Sequence, residues 1–120
     1  MLKVQLEGQS LRLRIDEAHL SRLLAGDRLS LRTCLAPAAD FCFAVERIEA
    51  AAPGWRALGD GALLQLPSPA LAEYVARLPC RESLDLDLAL ASGDRLRIEF
   101  SVDVRNSLAS RGPRRRESGR

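Results

Sequence analysis

The chain has 120 residues, 18 basic and 16 acidic side chains for a net charge of +2, and is 47% hydrophobic but only 4% aromatic. That is sequence for one domain and not for two independent cores, and charged residues interrupt every apolar stretch well short of the ~20 residues a membrane-spanning helix needs. Three cysteines (Cys34, Cys42, Cys80) without Cys-x-x-Cys spacing argue against a disulfide framework and against a zinc site of the usual kind.

The opening Met1-Leu2-Lys3-Val4-Gln5-Leu6-Glu7 alternates from the start. This is the pattern of a strand rather than of a basic and then apolar leader, so the expected compartment is the cytoplasm. Leu11, Leu13 and Ile15 then alternate with Arg12 and Arg14. A Gly8-Gln9 turn of type II′ pairs Leu6 with Leu11, Val4 with Leu13 and Leu2 with Ile15, placing every apolar pair on one face. Asp16 is the expected N-cap of a helix with Glu17 in its first turn, Leu20, Leu23 and Leu24 as its apolar stripe, and Gly26 as its stop. Leu29 to Leu35 and Phe41 to Val45 alternate again, a second hairpin around a loop at Ala36–Asp40.

After the linker Ala50-Ala51-Ala52-Pro53-Gly54 the same order of elements returns. Trp55 to Leu58 and Ala62 to Leu66 flank a Gly59-Asp60 turn, Ser68 and Pro69 open a helix with the stripe Leu71, Tyr74, Val75 and Leu78, and Pro79 ends it. Leu84 to Leu90 and Leu96 to Val104 form a long hairpin around Ala91-Ser92-Gly93, which pairs Leu88 with Leu96, Leu86 with Ile98 and Asp87 with Arg97. An offset of 51 residues superposes the halves through the helix, Leu13 on Leu64, Ile15 on Leu66 and Leu20 on Leu71, and the later hairpin needs about four extra residues in the second copy. The fold class read from this is α+β: a tandem ββαββ duplication over residues 1–105 (copies 1–49 and 55–105), with antiparallel sheets curling towards a barrel and two short helices. Residues 106–120 hold five Arg and one Glu, leaving 13 bases against 15 acids before them, and Gly, Pro and Ser around Arg114-Arg115-Arg116 mark a disordered basic tail.

Catalytic chemistry has little to work with. The only histidine, His19, stands beside the helix stripe without an evident nucleophile or orienting acid, and Gly59-Asp60-Gly61 lies between strands rather than before a helix. No cofactor and no metal are expected. Arg12, Arg14, Arg32 and Arg97 occupy outward strand positions and are the candidate anion or ligand-binding residues, although Glu46, Asp85, Asp87 and Glu99 share that parity. If Leu35 pairs with Phe41, Cys34 falls directly opposite Cys42, which makes a redox-linked disulfide geometrically accessible beside the favoured alternative of two reduced neighbours in a cytosolic sheet. All five aromatic residues have core parity, so the sheet faces lack the stacking surface that sheet-based nucleic-acid modules use.

The run from Lys3 to Ile15, Lys-Val-Gln-Leu-Glu-Gly-Gln-Ser-Leu-Arg-Leu-Arg-Ile, followed by a short acid-capped helix, resembles the start of a small bacterial family of uncharacterised domains. The resemblance extends to Leu63-Leu64-Gln65-Leu66-Pro67 and to Leu96-Arg97-Ile98-Glu99; where members often continue with Lys-Asp and a Cys, this chain has Phe100-Ser101-Val102-Asp103. It implies the fold and a bacterial cytoplasmic setting and transfers no catalytic residue. The function expected is a non-enzymatic binding or accessory module acting on a protein partner or as a homodimer. The alternatives are a small-ligand or anion-binding, enzymatic barrel, and nucleic-acid association through the tail residues Arg114, Arg115 and Arg116.

Overall fold

Strand alternation and turn chemistry translate into ten elements. They are β1 (Leu2–Glu7), β2 (Ser10–Asp16), α1 (Glu17–Leu24), β3 (Leu29–Ala36), β4 (Ala39–Ile48), β5 (Gly54–Leu58), β6 (Gly61–Pro67), α2 (Ser68–Ala76), β7 (Leu84–Ala89) and β8 (Arg95–Asp103). The computed structural model describes residues 2–36, 39–79 and 81–103. The tail arginines Arg114, Arg115 and Arg116 and Cys80 lie outside the described residues.

The first hairpin has the expected register, Leu2 opposite Ile15, Val4 opposite Leu13 and Leu6 opposite Leu11. Gly8 at its turn has φ 58°, a left-handed conformation that a side chain would strain. The β7–β8 hairpin also pairs as the sequence indicates, Leu86 with Ile98, Asp87 with Arg97 and Leu88 with Leu96. The offset of 51 carries β2 onto β6 and the start of α1 onto the start of α2. The helix ends differ between the copies. Asp16 caps α1 by accepting the His19 backbone N–H at 2.9 Å, whereas α2 is preceded by Pro67 without a side-chain cap. Ser68, read as a cap from the sequence, is the first helical residue, and its hydroxyl accepts a bond from Arg47 at 3.1 Å.

The two copies interleave. One sheet has the order β1-β2-β8-β7 and the other β3-β4-β6-β5, so each takes one hairpin from each copy. The seams are the parallel pairs β2–β8 and β4–β6. They are parallel because each joins the second strands of two hairpins whose turns lie at the same end. The sheets do not close into a barrel, a correction to the expected curling. β1 and β7 remain edges of the first sheet and β3 and β5 edges of the second, and α1, packed against β2 and β8 on one side and β3 and β4 on the other, spans the two sheets.

Between the sheets lies one core, with Leu11, Leu13, Ile15, Ile98 and Phe100 from the first and Phe43, Val45, Leu64 and Leu66 from the second. Tyr74 and Phe100 meet edge to face at 5.8 Å between centroids, a geometry that adds about 1 kcal/mol beyond the area buried. Leu24, read as part of the α1 stripe, is exposed.

The β4–β6 seam has no room at one position. Gly61 pairs with Cys42, and a Cβ there would run into the Cys42 carbonyl oxygen. Its counterpart on the other seam, Ser10 opposite Arg97, already carries a side chain. Gly61→Ala should therefore lower unfolding stability by about 3 kcal/mol, measured by urea denaturation, and Ser10→Ala by less than about 0.5 kcal/mol.

Candidate functional site

The register that turns the leucines inward sets out the polar side chains in rows on the outer face of the first sheet. One row runs Gln5, Arg12, Glu99, Asp85 and the next Lys3, Arg14, Ser101. Three of the four candidate arginines thus share this face, and Arg32 is on the second sheet. Arg12 lies 3.7 Å from Glu99, and Arg97 lies 3.4 Å from Asp85 and 3.9 Å from Glu99. Arg32 sits 3.0 Å from Asp40 and 3.3 Å from Asp60. The hydrogen bond to Asp40, with Asp60 and Cys42 nearby, pushes its pKa above its already high ordinary value. Exposed pairs of this kind contribute little to stability, yet each occupies the charge an anionic ligand would use. Arg14 differs: it stands directly opposite Lys3, and no described carboxylate lies within ion-pair distance of either.

Asp85, Leu86, Asp87 and Arg97 line a shallow open groove of about 240 Å³. Asp87 is opposite Arg97, but the guanidinium reaches diagonally to Asp85 instead. His19 bonds back to its own helix cap, Nδ1 to Asp16 Oδ1 at 2.7 Å, with its side chain 29% exposed. Among the described residues, no three of His, Cys, Asp and Glu are grouped so as to hold a metal ion.

The cysteine register differs from the expected one. Cys34 faces Asp40 and Cys42 faces Arg32, so the thiols are diagonal rather than direct neighbours. Diagonal side chains stand roughly 7–8 Å apart, beyond the reach of a disulfide without backbone movement. The strands run on to Ala36 and Ala39, with a register shift between Cys34 and Ala36. This shortens the five-residue loop inferred from the sequence and moves the pairing by two residues. Both thiols are free.

The same extension exposes residues that sequence parity assigns to the core. The β4–β6 pairing begins only at Cys42 opposite Gly61, so the tip of the β3–β4 hairpin projects past the end of β6. There Leu35 is 70% and Phe41 42% exposed. The two seams place Phe41 in the position of Leu96, which is buried, and the same spacing along the chain places Leu35 in that of Leu90, which is half-buried. The pair one row along also differs between the sheets, Leu6 and Leu11 in the first and Ala57 and Ala62 in the second, but Leu6 is itself 64% exposed. Sequence parity alone carries no signal that marks the tip as exposed.

Among the described residues no helix is long and apolar enough to cross a membrane. Neither a protein-family model nor a curated protein sequence matches the chain.

Glu46 supplies a pH test of the register. It accepts a hydrogen bond from Gln65 at 2.9 Å and pairs with Arg28 at 3.2 Å, and these hold its pKa below the ordinary value of 4.5, the Gln65 bond most strongly. A folded-state pKa lower than the unfolded one contributes stability that is complete above the unfolded value and lost as the pH falls through the folded one. Glu46→Gln should therefore be less stable than wild type at pH 7, and the gap between their urea midpoints should close as the pH falls below the ordinary value of 4.5. A gap independent of pH would remove Glu46 as its origin.

Proposed function

We propose that the protein is a non-enzymatic binding or accessory module of the bacterial cytoplasm that engages a protein partner through the β3–β4 hairpin tip. The observation that carries this reading is the exposure of Leu35 and Phe41 where the other copy has a half-buried and a buried leucine. Exposed apolar clusters on small soluble domains mark contact sites, with aromatic side chains as frequent anchors. Two further features support it. The space between the sheets is filled with apolar side chains, which leaves the surface as the place for a ligand, and the outward Arg12, Arg32 and Arg97 are already matched by carboxylates. The resemblance to a small bacterial family is in keeping with the compartment.

A pull-down from the native cytoplasm with the full chain, the double variant Leu35→Asp/Phe41→Asp and a deletion of residues 106–120 tests the reading. Loss of two anchoring contacts should weaken capture of the partner at least about thirty-fold while the melting temperature stays within a few degrees, and the tail deletion should leave capture unchanged. Capture that survives the double variant, or that vanishes with the tail instead, overturns it. The second outcome would favour nucleic-acid association through the tail arginines.

Anion binding is the second reading, favoured by Lys3 and Arg14 facing each other without a described carboxylate to separate them. Titration with inorganic phosphate should then shift the backbone resonances of these two residues and of Ser101, and the shifts should disappear in Lys3→Gln/Arg14→Gln. Phosphate shifts that are absent, or that persist in the variant, count against it.

A further inference from the structure

The halves of this chain meet entirely through surfaces that a second copy also carries. β2 finds its outer neighbour in β8 and β4 finds its neighbour in β6, and the covalent link between the halves is the segment 49–53. Residues 49–52 of that segment are exposed. We propose that the two halves exchange between chains, so that residues 1–48 of one copy fold with residues 54–103 of another and the partner for the β2–β8 and β4–β6 seams is a second copy of this chain.

Every contact of the seams is the same whether the halves belong to one chain or two. Only the path of residues 49–53 changes, which is the condition under which exchange is a low-cost route to a dimer. The balance is then set by linker length through the effective concentration of one half near the other, on the order of millimolar for a short flexible connection. The register also fixes when the single-chain arrangement runs short of linker. Ile48 pairs with Pro67 and Gly54 with Gln65, on opposite sides of β6. Two strand spacings of ~4.8 Å across and two residues of ~3.3 Å along separate their Cα atoms by roughly 12 Å. Five intervening residues span this with slack. With Ala50, Ala51 and Ala52 removed, three Cα–Cα steps of 3.8 Å reach at most about 11 Å, without allowing for the path around the β6–α2 junction. The single-chain path is then at full stretch before any turn around that junction, so removing the three alanines favours exchange. The proposal uses no part of the hairpin tip, so the two fail separately.

Size-exclusion chromatography with light scattering tests this on the full chain lacking Ala50–Ala52, carrying Glu46→Cys and Gln65→Cys across the β4–β6 seam with Cys34, Cys42 and Cys80 replaced by Ser. The expected species is a dimer with the wild-type circular dichroism spectrum, in which mild oxidation links position 46 of one chain to position 65 of the other and gives a covalent dimer on a non-reducing gel. With the full linker, the same pair in the monomer closes within one chain. A folded monomer, or a dimer whose 46–65 bond closes within a chain, overturns the proposal. Should the shortened chain not fold, the full-linker protein refolded from urea decides. A 46-to-65 interchain fraction that rises as protein concentration approaches 1 mM supports exchange, and its absence at that concentration overturns it.

Discussion

The two parallel seams are the constraint on which the rest of the molecule depends. Each ββαββ half sends its first hairpin to one sheet and its second to the other. A half by itself therefore offers two separate two-stranded hairpins joined by a short helix, and an isolated hairpin is marginal in water. Only when β2 meets β8 and β4 meets β6 does each sheet reach four strands with a face large enough to bury. The central strands accordingly carry most of the fully covered strand side chains: Leu13 and Ile15 on β2, Ile98 and Phe100 on β8, Val45 on β4, and Leu64 and Leu66 on β6. Gly61 shows how closely one seam is drawn, since its backbone lies where no Cβ fits against Cys42.

The surface follows from the same register. A period of two that turns a leucine inward turns its neighbours outward, so Arg12, Glu99 and Asp85 fall in one row without any local motif for an ion-pair network. The second sheet departs from this. Leu63 and Ala44 have outward parity and pair with each other, yet they are 1% and 2% exposed. Arg56 stands directly across from Leu63, and the Glu46–Gln65 pair lies two residues along. Long polar side chains of this kind cover apolar surface with their stems while keeping their heads in water. The hydrogen bond from Gln65 that depresses the Glu46 pKa is thus part of a polar rim around an apolar patch.

Much of the fold is legible in the sequence because alternation and turn residues are local properties. The β1–β2 and β7–β8 registers follow from Gly8-Gln9 and Ala91-Ser92-Gly93 together with their flanking leucines, and the equivalence of Leu13 with Leu64 and Leu20 with Leu71 follows from spacing alone. Interleaving is not legible, because two copies stacked side by side and two copies exchanging hairpins bury the same leucines. The β3–β4 register is misread because Ala36-Pro37-Ala38-Ala39-Asp40 contains no glycine to mark the turn, so the strands run further than the loop composition indicates. Phe41 is misplaced for a related reason. Parity says which face a side chain is on, but whether it is covered depends also on where the neighbouring strand ends, here at Gly61 opposite Cys42.

The duplication also gives a way to separate what the fold requires from what it does not. A feature demanded by the architecture recurs in both copies, as the inward alternation and the helix following the second strand do. A feature found in one copy is free of that demand and has another cause. Gly61 in place of Ser10 is accounted for by its approach to Cys42. By register, Arg47 stands where the other copy has Val102, and it bonds to Glu49 and Ser68 beside the one helix start without a side-chain cap, so its charge is used internally. Leu35 and Phe41 differ in kind from these. They stand exposed where the other copy has a half-buried and a buried leucine. An asymmetry that leaves apolar surface in water is not a demand of the architecture, and the proposed contact through the hairpin tip rests on that distinction.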